Sequence, residues 1–202
     1  MRIILFANSV FKQDISNLIT NDDYLVRFNQ PDESNLQLSG NRTDLLFVAN
    51  TSEVMDKMVK HEVFDQGVFI QKPDVIFPYT NNIIKKNKPY YLKRYVSFLK
   101  LFYEKRNYNN EEYISLLGDK GIDVQVLPEK YYLNLTEKLS LEASWMPSTG
   151  LIALYYFLKH PYYKGKKIYL YGFEFKGWEG HLWQKEKKFV ERLVEKEQVY
   201  LL

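Results

Sequence analysis

Short apolar runs of strand length recur along the chain, most of them separated by stretches with helical spacing, and this alternation restricts the fold more than any other feature. Residues 2–7, 24–28, 45–49, 68–71, 75–77, 124–126 and 167–171 read as strands, and residues 52–60, 91–106, 111–117, 150–159 and 182–196 read as helices. Strands joined through helices pair in parallel, so the expected fold is α/β: a single Rossmann-like, mostly parallel sheet flanked by helices. The turn-rich segments 30–41 and 78–89 read as loops rather than domain boundaries. Residues 1–202 are therefore expected to form one domain, and 46% hydrophobic content is enough for a sizeable core.

Charge and composition exclude several classes of function. Lys and Arg number 28 against 25 Asp and Glu, and a net charge of +3 is too small an excess to announce a nucleic-acid binder. The chain has no cysteine, which removes disulfides, thiolate metal sites and a cysteine nucleophile. Residues 1–7 are apolar over a strand length only and run straight into Asn8 and Ser9, so neither a signal peptide nor a membrane span fits there and a cytoplasmic location is expected. The basic residues Lys85, Lys86, Lys88, Lys93, Arg94, Lys100, Lys105 and Arg106 interleave with Tyr90, Tyr91, Tyr95, Phe98 and Tyr103. They read either as the solvated side of a helix whose rings enter the core, or as a patch for peripheral contact with an anionic membrane.

Polar or glycine residues end three of the strands: Asn8 and Ser9, then Asn29, then Gly172. Each can simply turn the chain, but an open α/β sheet also places its ligand outside the carboxyl ends of its strands. Ser148 or Thr149, with Gly150, precedes the apolar run 151–158 and reads as a helix N-cap; the same N–H groups and hydroxyls could receive a phosphate. In the last helix Leu182, Phe189, Val190, Leu193 and Val194 form an apolar stripe, and Glu186 falls on it. A carboxylate directed at a core needs a partner. His181 lies on the loop entering this helix, in a position to face the crevice. His160 and His61 sit at expected helix ends, where a cation suits the dipole.

Three segments in order carry a family resemblance. Ile4-Leu5-Phe6-Ala7-Asn8-Ser9, followed by residues 22–29 and 40–44, resembles the large sialyl motif of the sialyltransferases grouped as glycosyltransferase family 29. Pro147-Ser148-Thr149-Gly150 with residues 167–173 resembles the small motif, and His181 with Glu186 resembles the very short one, a His and a Glu separated by four residues. The resemblance implies a GT-A-like variant of the α/β fold, CMP-sialic acid as donor, a glycan acceptor, and inversion at the anomeric carbon; at an anionic membrane face reached through the basic patch, that acceptor could be lipid-linked. It also implies that Asn8, Ser9, Asn29, Ser148, Thr149, Gly150 and Gly172 bind the donor and that His181 is the general base, with Glu186 either tuning the imidazole or purely structural. No metal and no further cofactor is expected, since the chain contains no Asp-x-Asp triplet. The chain departs from the family in lacking its cysteines and its third motif: eight residues separate Gly172 from His181, and Trp178 or Glu179 stands where a phosphate-binding histidine is usual. Two rival readings differ in kind. One is a catalytically silent nucleotide-binding scaffold; the other is a nucleic-acid module using the basic and aromatic residues, which gives no reason for His181 and Glu186.

Overall fold

A computed structural model describes residues 1–60, 63–64, 69–86, 110–142 and 145–202 of the chain. The helix expected over 91–106, His61 and all of the basic run beyond Lys86 lie outside the described residues. Seven strands form one sheet: β1 (Arg2–Phe6), β2 (Tyr24–Phe28), β3 (Leu45–Phe47), β4 (Asp74–Phe77), β5 (Val124–Val126), β6 (Lys167–Tyr171) and β7 (Tyr200–Leu201). Their order is β5-β4-β3-β2-β1-β6-β7, and every pairing is parallel. The helices are α1 (Glu33–Ser39), α2 (Ser52–Lys60), α3 (Asn81–Lys86), α4 (Asn110–Asp119), α5 (Glu129–Lys138), α6 (Thr149–Lys159) and α7 (Trp183–Glu195).

The central strand shows why the sheet is covered on both sides. Ile3, Ile4, Leu5 and Phe6 are all buried, the continuous apolar run of a strand with helices on each face. Ile3 and Leu5 join one core with residues of α3, α5, α6 and α7. Ile4 and Phe6 face the opposite side, against Phe11, Ile15 and Leu25, while α2 and α4 cover β3 and β4 on that side through Met55, Met58 and Leu117. Helix α6 is buried from Leu151 through Phe157, whereas α7 is amphipathic and buries only Val190 and Glu186.

Several expectations need correction. Residues 30–41 are not a loop: Asp32 accepts from Ser34 N at 2.8 Å and caps α1, so the turn-forming residues there start a helix. Residues 78–89 likewise contain α3, with Thr80 Oγ1 accepting from Ile83 N. Residues 69–71 are bends, not strand, and α5 and β7 form where the sequence suggested neither. His160 does stand at the carboxyl end of α6, and its Nδ1 accepts from Tyr162 N at 3.3 Å, so the side chain also caps the next short turn. No helix among the described residues is long and apolar enough to cross a membrane.

Candidate active site

The chain fills the sheet outward from β1 to β5, then returns to add β6 and β7 on the other side of β1. This makes the carboxyl ends of β1 and β6 the topological switch point, where open parallel sheets hold their ligands. Ser9 and Gly172 stand at these two ends, and the Ser9 hydroxyl donates to the Gly172 carbonyl. Gly172 adopts φ +74°, and a Cβ there would come 2.7 Å from a ring carbon of Phe11 and 2.9 Å from Ser9 Oγ. Ser9 is also held from behind, because Asn35 of α1 donates to Ser9 O at 2.8 Å and accepts from Phe11 N at 2.9 Å.

Helix α1 is anchored in turn by Arg27 of β2, which is 1% exposed. Its guanidinium donates to Ser39 Oγ (2.9 Å), Gly40 O (2.7 Å) and Thr43 Oγ1 (3.1 Å) and lies 4.4 Å from the centre of the Phe6 ring. No carboxylate pairs with it among the described residues, and burial lowers its pKa to about 10. The cation is thus stabilised by neutral acceptors at the end of α1 and by a ring face.

The first three strands each run into an asparagine. Asn8 is exposed, but its Nδ2 donates to Phe28 O at 2.8 Å and Gln30 O at 3.3 Å. Its donors are therefore spent, and its oxygen is left as an acceptor, which suits a hydroxyl and not a phosphate. Asn29 takes a left-handed φ of 52°, and its Oδ1 accepts from Ala49 N at 2.8 Å, leaving Nδ2 without a protein partner among the described residues. Asn50, which sequence reasoning missed, is buried: it donates to Tyr79 O and to Asn110 Oδ1, both at 2.6 Å, and accepts from Tyr79 N at 3.1 Å. The signal was present as an asparagine just after a strand, the same pattern as Asn8 and Asn29.

Ser148 caps α6 by accepting from Leu151 N at 3.2 Å. Both of its donors go to Glu186: the backbone N–H to Oε1 at 2.8 Å and the hydroxyl to Oε2 at 2.6 Å. Glu186 is 1% exposed, so helical periodicity placed it correctly, but its partner is Ser148 and not His181. Burial pushes its carboxyl above the usual range, and the two Ser148 donors pull it back down. Because Ser148 has no donor left, the free groups at this helix start are the N–H of Thr149 and of Gly150, which the first turn leaves without intrahelical partners. The Thr149 side chain lies against the buried phenol of Tyr79.

His181 stands between two indoles, its ring centre 4.8 Å from Trp178 and 4.9 Å from Trp183, both edge-on. Its Nδ1 is 2.7 Å from the carbonyl of Met146, two residues before Ser148, and Met146 N donates to Gly180 O at 3.4 Å. A carbonyl can only accept, so Nδ1 carries the proton and Nε2 is left as the basic nitrogen. Burial lowers the His181 pKa against the opposing pull of the Met146 carbonyl. Of the two residues expected where the third-motif histidine is missing, Trp178 is the one beside His181, and the space for a Cβ at Gly180 is taken by its ring. Among the described residues no group of three or more His, Cys, Asp or Glu is arranged to hold a metal ion.

Glu186→Gln is expected to act through Ser148. Gln offers one acceptor where Glu offers two, so a buried Ser148 donor loses a charge-assisted bond of about 1.5–3 kcal/mol. The melting temperature should fall by roughly 4–8 °C, with the pH profile of His181 unmoved. A profile displaced by this substitution would restore Glu186 as the partner of His181.

The whole chain shares its fold with solved sialyltransferases. It is similar to Cst-I of Campylobacter jejuni, a monofunctional alpha-2,3-sialyltransferase, with a TM-score of 0.60 and 12% identity over 100% of this chain and 76% of that one. It is similar to CstII of Campylobacter jejuni in complex with cytidine-5'-monophosphate, with a TM-score of 0.56 and 15% identity over 100% and 79%. CstII in complex with CMP-3FNeuAc gives a TM-score of 0.56 and 15% identity over 100% and 80%. These neighbours are sialyltransferases of Campylobacter jejuni, so the shared fold falls on the class of enzyme that the three motifs resemble. No family model and no curated protein matches the sequence.

Proposed function

We propose that residues 1–202 act as one inverting, metal-independent glycosyltransferase unit of GT-A-like architecture, transferring sialic acid or a related CMP-activated sugar to a glycan hydroxyl. The observation that carries this reading is His181, whose pKa is lowered by burial and whose Nδ1 is tied to the carbonyl of Met146, two residues before the N-cap of α6. The fold shared with CMP-bound sialyltransferases supports the donor class.

In the proposed step the acceptor hydroxyl loses its proton to His181 Nε2 while its oxygen bonds the anomeric carbon. The bond from that carbon to the CMP phosphate breaks on the opposite face, and the electron pair leaves with the phosphate. A neutral imidazole is suited to the first task. The departing charge is met by the Thr149 and Gly150 N–H groups and by Asn29 Nδ2, with the oxygen of Asn8 turned toward sugar hydroxyls. Ser9, Ser148 and Gly172 shape this site through the backbone, and Glu186 holds Ser148. A phosphate leaving group of this kind needs no metal when donors are already in place. A cytoplasmic enzyme meeting a lipid-linked acceptor would set the exposed Lys85 and Lys86 at the end of α3 toward an anionic membrane face.

The test is a thermal-shift comparison of nucleotides with transfer assayed in parallel. CMP should raise the melting temperature more than the purine monophosphates do, since a ligand at about 100 times its dissociation constant adds about 2.7 kcal/mol. Transfer should continue in EDTA. Activity that vanishes in EDTA and returns with Mg²⁺ would defeat metal independence, and a CMP shift without transfer would make the chain a silent scaffold.

A further inference from the structure

The amino ends of β6 and β7, with the carboxyl ends of α5 and α6, enclose a cleft of about 560 Å³ that no part of the proposed reaction uses. It lies at the end of the sheet away from Ser9 and Gly172, separated from them by the length of β6, roughly 17 Å for a five-residue strand. Lys138, Lys159, Lys164, Lys166 and Lys167 line it, against one acidic residue, Glu197. All five lysines are exposed, and none forms an ion pair among the described residues. Lys159 and Lys138 stand in the last turns of α6 and α5, where the helix dipole accounts for them. Lys164, Lys166 and Lys167 stand in the connecting loop and at the start of β6, where nothing in the fold calls for three cations together. Lys167 instead lies 5.9 Å from the centre of the Tyr200 ring, which with Gln198 forms part of the wall.

We propose that this cleft binds an acidic oligosaccharide, a glycan that already carries carboxylates, at a site separate from the one where sugar is transferred. The proposal rests on the reading of the chain as a sialic acid transferase, for which such glycans are products and acceptors. Concavity and size favour this ligand. A cleft of this volume takes a few sugar rings, whereas a membrane meets a flat or convex surface and a nucleic acid needs a track. The cations are compact ammonium groups that neutralise separate carboxylates, and Gln198, Glu197 and the Tyr200 hydroxyl can pair with sugar hydroxyls.

Calorimetric titration of the full chain with an α2,8-linked sialic acid trimer, beside a neutral maltose trimer, tests this. The acidic trimer should bind, weaken at high salt and outcompete the neutral one. Replacing Lys164, Lys166 and Lys167 together by Glu should weaken it about tenfold or more, while the CMP thermal shift stays as in the wild type. If that variant fails to fold, Lys138→Gln with Lys159→Gln should give a smaller loss in the same direction. Wild-type affinity in the lysine variants, equal binding of the neutral trimer, or tighter capture of a single-stranded oligonucleotide or of anionic vesicles would overturn the proposal. A wild type that responds to CMP but ignores the acidic trimer overturns the cleft alone. One that binds the trimer through these lysines but gives no CMP shift overturns the transferase reading instead.

Discussion

Replacing His181 by alanine should lower the rate of transfer about 10²–10⁴-fold and leave the thermal shift produced by CMP intact. In the proposed step the imidazole acts on the acceptor proton, so its contribution would be made in the transition state and hardly at all in nucleotide affinity. The pH dependence gives a second measurement. A general base must be neutral to take the proton, so under the proposed role the rate should rise with pH and level off. Burial between Trp178 and Trp183 holds the pKa below its ordinary value of about 6.5, so the midpoint of this rise should lie on the acid side of that value. Wild-type turnover in the alanine variant, or loss of CMP binding together with turnover, would remove His181 from the role of base.

Gly172→Ala should have the second large effect, this time on the folded state and the proposed donor site together. The residue sits at φ +74°, and its new methyl group would meet Phe11 at 2.7 Å and Ser9 Oγ at 2.9 Å. Backbone strain and overpacking together should cost about 2–4 kcal/mol, a fall in melting temperature of roughly 5–15 °C. Ser9 cannot stay where it is without colliding, so its hydrogen bond to the Gly172 carbonyl is displaced and the link between the β1 and β6 ends opens. CMP affinity should therefore drop as well. A variant that melts within about 2 °C of wild type and binds CMP equally well would show that this close approach is not needed.

Much of the frame was legible in the residues. The strands β2, β5 and β6 and the helix α2 form over the ranges expected, because apolar runs and helical spacing record directly which side of an element is buried. The cap at Ser148 and the inward direction of Glu186 came from the same local rules. Helix α1 was hidden because Pro31, Asp32, Ser34 and Asn35 are turn residues as well as helix-start residues, and only the burial of Asn35, Leu36 and Ser39 in the folded chain separates the two uses. The edge strand β7 is two residues long and exists through its pairing with β6, which no local pattern announces.

What the sequence by itself determined is therefore the α/β layering, the positions of the central strands, and the burial of a carboxylate in the last helix. The tertiary structure decided the partners. It gave Glu186 to Ser148 across 38 residues, tied Nδ1 of His181 to Met146 across 35, and brought Ser9 to Gly172 across 163 by setting β6 beside β1. It also consumed the donors of Asn8 and Ser148, which reassigns the phosphate contacts to Thr149, Gly150 and Asn29 in the proposed reaction. Periodicity reports the face on which a side chain lies, a property of its own few neighbours. Which group waits on that face depends on the order of strands in the sheet, and that order is settled by the packing of the whole chain.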